Sequence, residues 1–156
     1  MKNMFGALLS LLLAACATQA PVVAPVTKAV APLVAEPTEV QLMATVDDQK
    51  SVFFLPGSAQ IDAEGLRIVR RHAERLKAEP KRLLTLLGYT DDVGSPSYNL
   101  AIAEQRINAV SAQLRAQGVA ARQIRRQVVG HEKLAGTCRS AACRQKMRRV
   151  ELSYAN

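Results

Sequence analysis

Two spacings of apolar residues alternate along the second two thirds of the chain. Residues 51–55 form a short apolar run of strand length, closed by Pro56-Gly57. Leu66, Val69, Ala73 and Leu76 then recur at intervals of three and four, which places them on one face of a helix. Asp62 stands where an N-cap is needed, and Pro80 stops the run. Arg67, Arg70, Arg71, Arg75 and Lys77 fall mostly on the other side, the wet face of an amphipathic helix. Residues 83–87 are nearly all apolar and short, so they predict a buried strand. The stretch Gly88-Tyr89-Thr90-Asp91-Asp92-Val93-Gly94 is rich in turn residues and predicts a loop. Ser95-Pro96 opens a second helix, serine as N-cap and proline at the first helical position. Leu100, Ala103, Ile107, Val110 and Leu114 carry its apolar stripe, and Gly118 suits its C-terminal cap. Residues 124–129 and 150–154 supply a third and a fourth strand. This order predicts an α/β arrangement, a sheet of about four strands covered by two main helices, built partly from βαβ units.

The first residues follow a different logic. Lys2 precedes an apolar run, Phe5 to Ala15, that is too short for a hydrocarbon core needing about 20 residues. A positive start, a short apolar stretch and small residues at its end predict a secretory signal, residues 1–15. The junction Leu13-Ala14-Ala15-Cys16 resembles the lipobox of bacterial lipoproteins. That resemblance implies that Cys16 is lipidated and becomes the mature N-terminus, and Ala17 behind it implies sorting to the outer membrane. Several acyl chains, at about 0.8 kcal/mol per buried methylene, make a durable anchor where one does not.

From residue 16 to about 46 the pattern disappears. Pro21, Pro25, Pro32 and Pro37 recur among Ala, Val and Thr, which predicts an extended Ala/Pro-rich linker. In the polyproline conformation some 25 residues reach roughly 75 Å. The folded domain is expected at residues 47–156.

Composition narrows the partners. The net charge is +8, mostly from arginine, which favours polyanions in general. Aromatic residues make up 4% and Trp is absent, leaving few platforms for stacking nucleic-acid bases. Besides Cys16, two cysteines remain, Cys138 and Cys143. An exported pair so close in sequence is expected to form a disulfide. A metal site using His131, Cys138, Cys143 and His72 is the alternative, although its spacing is looser than that of structural zinc.

The functional pair is Asp91, in the loop after a buried strand, and Arg106, in the second helix. Asn99, Ile102, Ala103 and Arg106 form one stripe along that helix. If the stripe faces the loop, a carboxylate and a guanidinium share one hollow. The first accepts an ammonium group and the second grips a carboxylate bidentately, which suits a zwitterion. Simpler roles compete: Asp91 satisfying loop amides, and Arg106 in a salt bridge that only stabilises the fold.

Phe54, Gly57-Ser58-Ala59, Ile61, Leu87 to Ser95, Tyr98-Asn99, Arg106, Gly118-Val119 and Arg148-Arg149-Val150-Glu151 together resemble the OmpA-like C-terminal domain. With the lipobox, the whole chain resembles the lipoproteins that carry this domain. The resemblance implies an α/β sandwich that binds peptidoglycan through the diaminopimelate of its stem peptides. It also implies that Asp91 takes the ammonium and Arg106 the carboxylate, with Asn99 and Arg149 as further contacts. No cofactor is implied, and no metal. Ile102-Ala103 stands where the family commonly has Leu-Ser, Met147 where it usually has Asn, and Gly130-His131-Glu132 where it has Gly-x-Gly-Glu.

The expected function is therefore an outer-membrane lipoprotein that binds peptidoglycan non-covalently and tethers the membrane to the wall. The partners would be peptidoglycan, the outer membrane through the lipid, and Tol-like or secretion-apparatus envelope proteins. An anchor within a secretion, conjugation or motility apparatus is the alternative. A wall hydrolase is disfavoured, because Asp91 and Asp92 are adjacent and consecutive side chains point apart, unlike flanking glycosidase acids. A nucleic-acid binder conflicts with the export signal.

Overall fold

A computed structural model of the chain describes residues 38–131, His131 by its backbone alone, and 138–154. The expected leader, Cys16, the linker up to residue 37, and Glu132 lie outside the described residues. Strands β1 (Ser51–Phe53), β2 (Leu84–Thr90), β3 (Ile124–His131) and β4 (Arg149–Tyr154) form one mixed sheet in the order β1-β4-β2-β3. β4 runs antiparallel to β1 and β2, and β2 runs parallel to β3. The parallel pair needs a crossover, which helix α3 (Pro96–Ala116) supplies as a βαβ unit. Helix α2 (Ala63–Ala78) packs on the same core. Val52, Leu84, Leu86, Val150 and Leu152 meet Val69, Leu76, Ile107, Val110 and Leu114 there. Every second strand residue thus faces the helices, as the pleat requires.

The capping expectations hold. Asp62 accepts from the Gly65 amide at 2.7 Å, and Ser95 from the Tyr98 amide at 3.2 Å with Pro96 behind it. Gly118, at φ +91°, turns the chain out of α3. Other expectations shift. Strand β1 stops at Phe53, although the Phe54 amide still donates to the Arg148 carbonyl at 2.9 Å. On α2, Ile68 and His72 join the buried face and Leu66 is half-buried. Leu100 is exposed rather than in the core.

Strand β2 runs on through Gly88-Tyr89-Thr90, residues whose composition predicts a loop. Pairing with β3 holds them, with a register shift between Gly88 and Tyr89. A side chain at Gly88 would begin 2.6 Å from Ile107 Cδ1, so glycine allows α3 to lie directly on β2. That contact delivers the end of β2 to the helix carrying Asn99 and Arg106.

Two short helices were not expected from periodicity. Helix α1 (Glu39–Ala44) lies inside the range read as linker, which corrects that boundary. Pro37 is the last proline before it, and Thr38 and Gln41 form a reciprocal capping box. Helix α4 (Ala141–Met147) is capped by Ser140. Leu42 and Val46 bury against Cys138, Cys143 and Met147, a second small core. Cys138 and Cys143 are joined as a disulfide with α-carbons 5.3 Å apart. The metal alternative thereby loses both its thiolates. His72, its other described member, hydrogen-bonds Tyr154 Oη at 2.7 Å and the Gln49 carbonyl at 3.3 Å.

Candidate functional site

Asp91, Asn99 and Arg106 line one cavity of about 390 Å³, beside the end of β2 and the first turns of α3. Its far wall is α4 and the residue after it, which contribute Arg144 and Arg148. A larger hollow of about 640 Å³ is lined, among the described residues, by the consecutive residues 79–83. The expected meeting of the loop carboxylate and the helix guanidinium is thus what the fold produces.

Each charge is held from behind. Asp91 Oδ2 accepts from Arg148 Nη1 at 2.8 Å, and Oδ1 accepts from the Val93 amide at 3.3 Å. The Asp91 carbonyl accepts from Asn99 Nδ2 at 3.4 Å, which ties the loop to α3. Arg148 is oriented in turn by the Phe54 carbonyl, to which its Nε donates at 3.1 Å, and by Gln145. Arg106 reaches across to the β1–α2 connection: Nε donates to the Ser58 carbonyl at 2.9 Å and Nη2 to that of Leu55 at 3.2 Å. Its guanidinium also lies 5.3 Å from the centre of the Phe54 ring.

Two polar atoms of this site are left over. Arg106 Nη1 and Thr90 Oγ1 are buried and have no hydrogen-bond partner. Burial pushes the Arg106 guanidinium below its ordinary pKa and the nearby Arg148 adds to this, while the Asp91 carboxylate opposes it. Arginine keeps its proton in proteins regardless. A charged donor without a partner is costly in a dry setting, and a ligand carboxylate would relieve that cost.

One expected residue is placed apart from the other three. Arg149 is not among the residues lining the cavity: its guanidinium lies 3.9 Å from the Tyr89 ring centre and 3.8 Å from Glu151, and donates to the Lys146 carbonyl at 3.3 Å. Val150 and Leu152 point into the helix-covered core, so alternation sends Arg149 to the opposite face. Arg148, one residue earlier, shares the helix side and takes the place expected for Arg149. The same alternation was present in the sequence and could have identified it. Arg144 is a second addition, 3.2 Å from Asp92, and no periodicity pointed to it. Ile102 lines the cavity and Ala103 is fully buried, while Met147 is fully buried in the second core.

The OmpA family model matches residues 53–148. The peptidoglycan-associated lipoprotein of Pasteurella multocida is 36% identical over 104 residues, covering 67% of this chain and 69% of that protein. The crystal structure of the peptidoglycan-associated lipoprotein from Burkholderia pseudomallei superposes with a TM-score of 0.65 at 31% identity, covering 68% of this chain and 90% of the other. The C-terminal domain of Helicobacter pylori MotB shares the fold, with a TM-score of 0.61 at 24% identity over 67% of this chain and 82% of that one. With the family pattern spanning both sides of the cavity, the chain belongs to the OmpA family.

Proposed function

We propose that this protein is an outer-membrane lipoprotein whose domain binds peptidoglycan non-covalently, gripping the free end of a diaminopimelate side chain. The supporting observation is the pair Asp91 and Arg106 on one cavity, with Arg106 Nη1 and Thr90 Oγ1 unpartnered beside it. Asp91, whose carboxylate also accepts from Arg148, takes the ammonium. Arg106 takes the carboxylate through the donor that has no partner in the protein. Ile102 and Val93 offer apolar surface to the methylenes between. The relatives named peptidoglycan-associated lipoproteins support the same reading.

Binding proceeds without chemistry on the wall. Asp91 is paired with Arg148 and Asp92 with Arg144, so neither carboxylate serves as a free acid or base. The lipid anchor rests on Cys16 and the lipobox around it. The experiment is co-sedimentation with diaminopimelate-type sacculi. Asp91→Ala and Arg106→Ala should each reduce retention while the circular dichroism spectrum is kept. Unchanged retention in both variants, or soluble fragments released by the wild type, would overturn the reading. Cys16→Ser should move the protein out of the membrane fraction; a variant still in that fraction refutes the anchor.

A further inference from the structure

The wall of the cavity opposite Asn99 and Arg106 is built by a helix of two turns, too short to hold its own shape. Its position must come from what it packs against. Among the helices and strands, α1 is the element on which α4 packs most extensively. The two sides of α4 divide the work. Ala141, Arg144 and Arg148 follow a three-four spacing and line the cavity, while Cys143 and Met147 are buried against Leu42 and Val46. At the N-terminal end of α4, the Glu39 carboxylate accepts from the amides of Arg139, at 3.4 Å, and Ser140, at 3.1 Å, and from the Ser140 hydroxyl. Ser140 is the residue that caps α4.

Resting on the binding role given to the cavity above, we propose that residues 38–46 form a clamp on the ligand site, with Glu39 and Leu42 as positioning residues for Arg144. The family match begins at residue 53, so the clamp lies outside it. Arg144 meets the loop carboxylate Asp92 at 3.2 Å, which closes the wall against the loop that bears Asp91. A shift of α4 opens that contact and widens the cavity. Neither Glu39 nor Leu42 lines the cavity; Glu39 holds the start of α4 and interacts with the charge of Arg144, and Leu42 packs on the buried side of α4, so both act through that helix.

The test is calorimetric titration of the full-length protein with a soluble disaccharide–tripeptide containing diaminopimelate, well below the melting temperature. Glu39→Ala and Leu42→Ala should each weaken binding roughly 2- to 30-fold, the usual range for residues coupled to a site without touching its ligand. Leu42→Met, which keeps the apolar contact, should bind as the wild type does. Glu39 is only half-buried, so its variant remains readable if Leu42→Ala folds poorly. In a double-mutant cycle, Glu39→Ala should lose most of its effect once Arg144 is replaced by Ala. Wild-type affinity in Glu39→Ala, or effects of Glu39→Ala and Arg144→Ala that simply add, would overturn the clamp. Asp91→Ala serves as the reference: if it binds normally, the cavity reading itself fails, whereas its loss beside a normal Glu39→Ala rejects the clamp alone.

Discussion

Arg148 Nη1 lies 2.8 Å from Asp91 Oδ2, so the carboxylate assigned to the ligand's ammonium already carries a counterion. Both side chains are nearly enclosed, and removing one charge strands the other. Arg148→Met is expected to cost about 3–5 kcal/mol of folding stability, read by urea denaturation. Arg149→Met acts from the opposite face of the sheet, where the guanidinium reaches the site only through the Lys146 carbonyl at the end of α4, and should cost less muropeptide affinity than Arg148→Met. Equal losses of affinity in the two variants would return Arg149 to the site.

Thr90 separates binding from stability. Its hydroxyl is buried at the cavity with no partner, so the free protein gains nothing from it. Thr90→Val is expected to leave the melting temperature unchanged or raised. The same variant should weaken muropeptide binding by about 0.5–1.5 kcal/mol, the worth of one net hydrogen bond. A loss of stability with full affinity would place the hydroxyl in the fold rather than in recognition.

His72 gives the domain an acid-sensitive spot remote from the cavity. Burial lowers its pKa below the ordinary 6.5, and Arg71, Arg75 and Lys50 lower it further, against the hydrogen bond with Gln49. The unfolded chain therefore takes up this proton first as pH falls. Stability from the neutral imidazole is complete above about pH 6.5 and drains away as pH drops toward the depressed folded value. Melting temperatures between pH 7.5 and pH 5 should fall more steeply for the wild type than for His72→Gln, at roughly neutral to mildly acidic pH. Parallel curves would contradict this.

The legible parts of the fold share one property: their signal is local. Ser95-Pro96 announces α3 through capping chemistry, and Ile107, Val110 and Leu114 fix its buried face. Asp91 and Arg106 are legible because the strand–turn–helix order around them is. What escaped depends on partners distant in sequence. Gly88 to Thr90 extend β2 only because β3 pairs with them. Helices α1 and α4, of six and seven residues, are too short for periodicity and exist by packing on each other and on the disulfide. The choice between Arg148 and Arg149 is different in kind: one step of local strand alternation, readable from Val150 and Leu152, decides between cavity and opposite face.

The most direct measurement compares binding of diaminopimelate-type and lysine-type muropeptides, which differ by one side-chain carboxylate, to the wild type and to Arg106→Ala. The wild type should prefer the diaminopimelate form by about 30-fold or more, since a buried guanidinium left unpaired by the lysine form typically costs at least 2 kcal/mol. In Arg106→Ala that preference should collapse. A preference of the same size in the variant would mean that another group reads the carboxylate, and that the clasp between Asp91 and Arg106 is not how the wall is recognised.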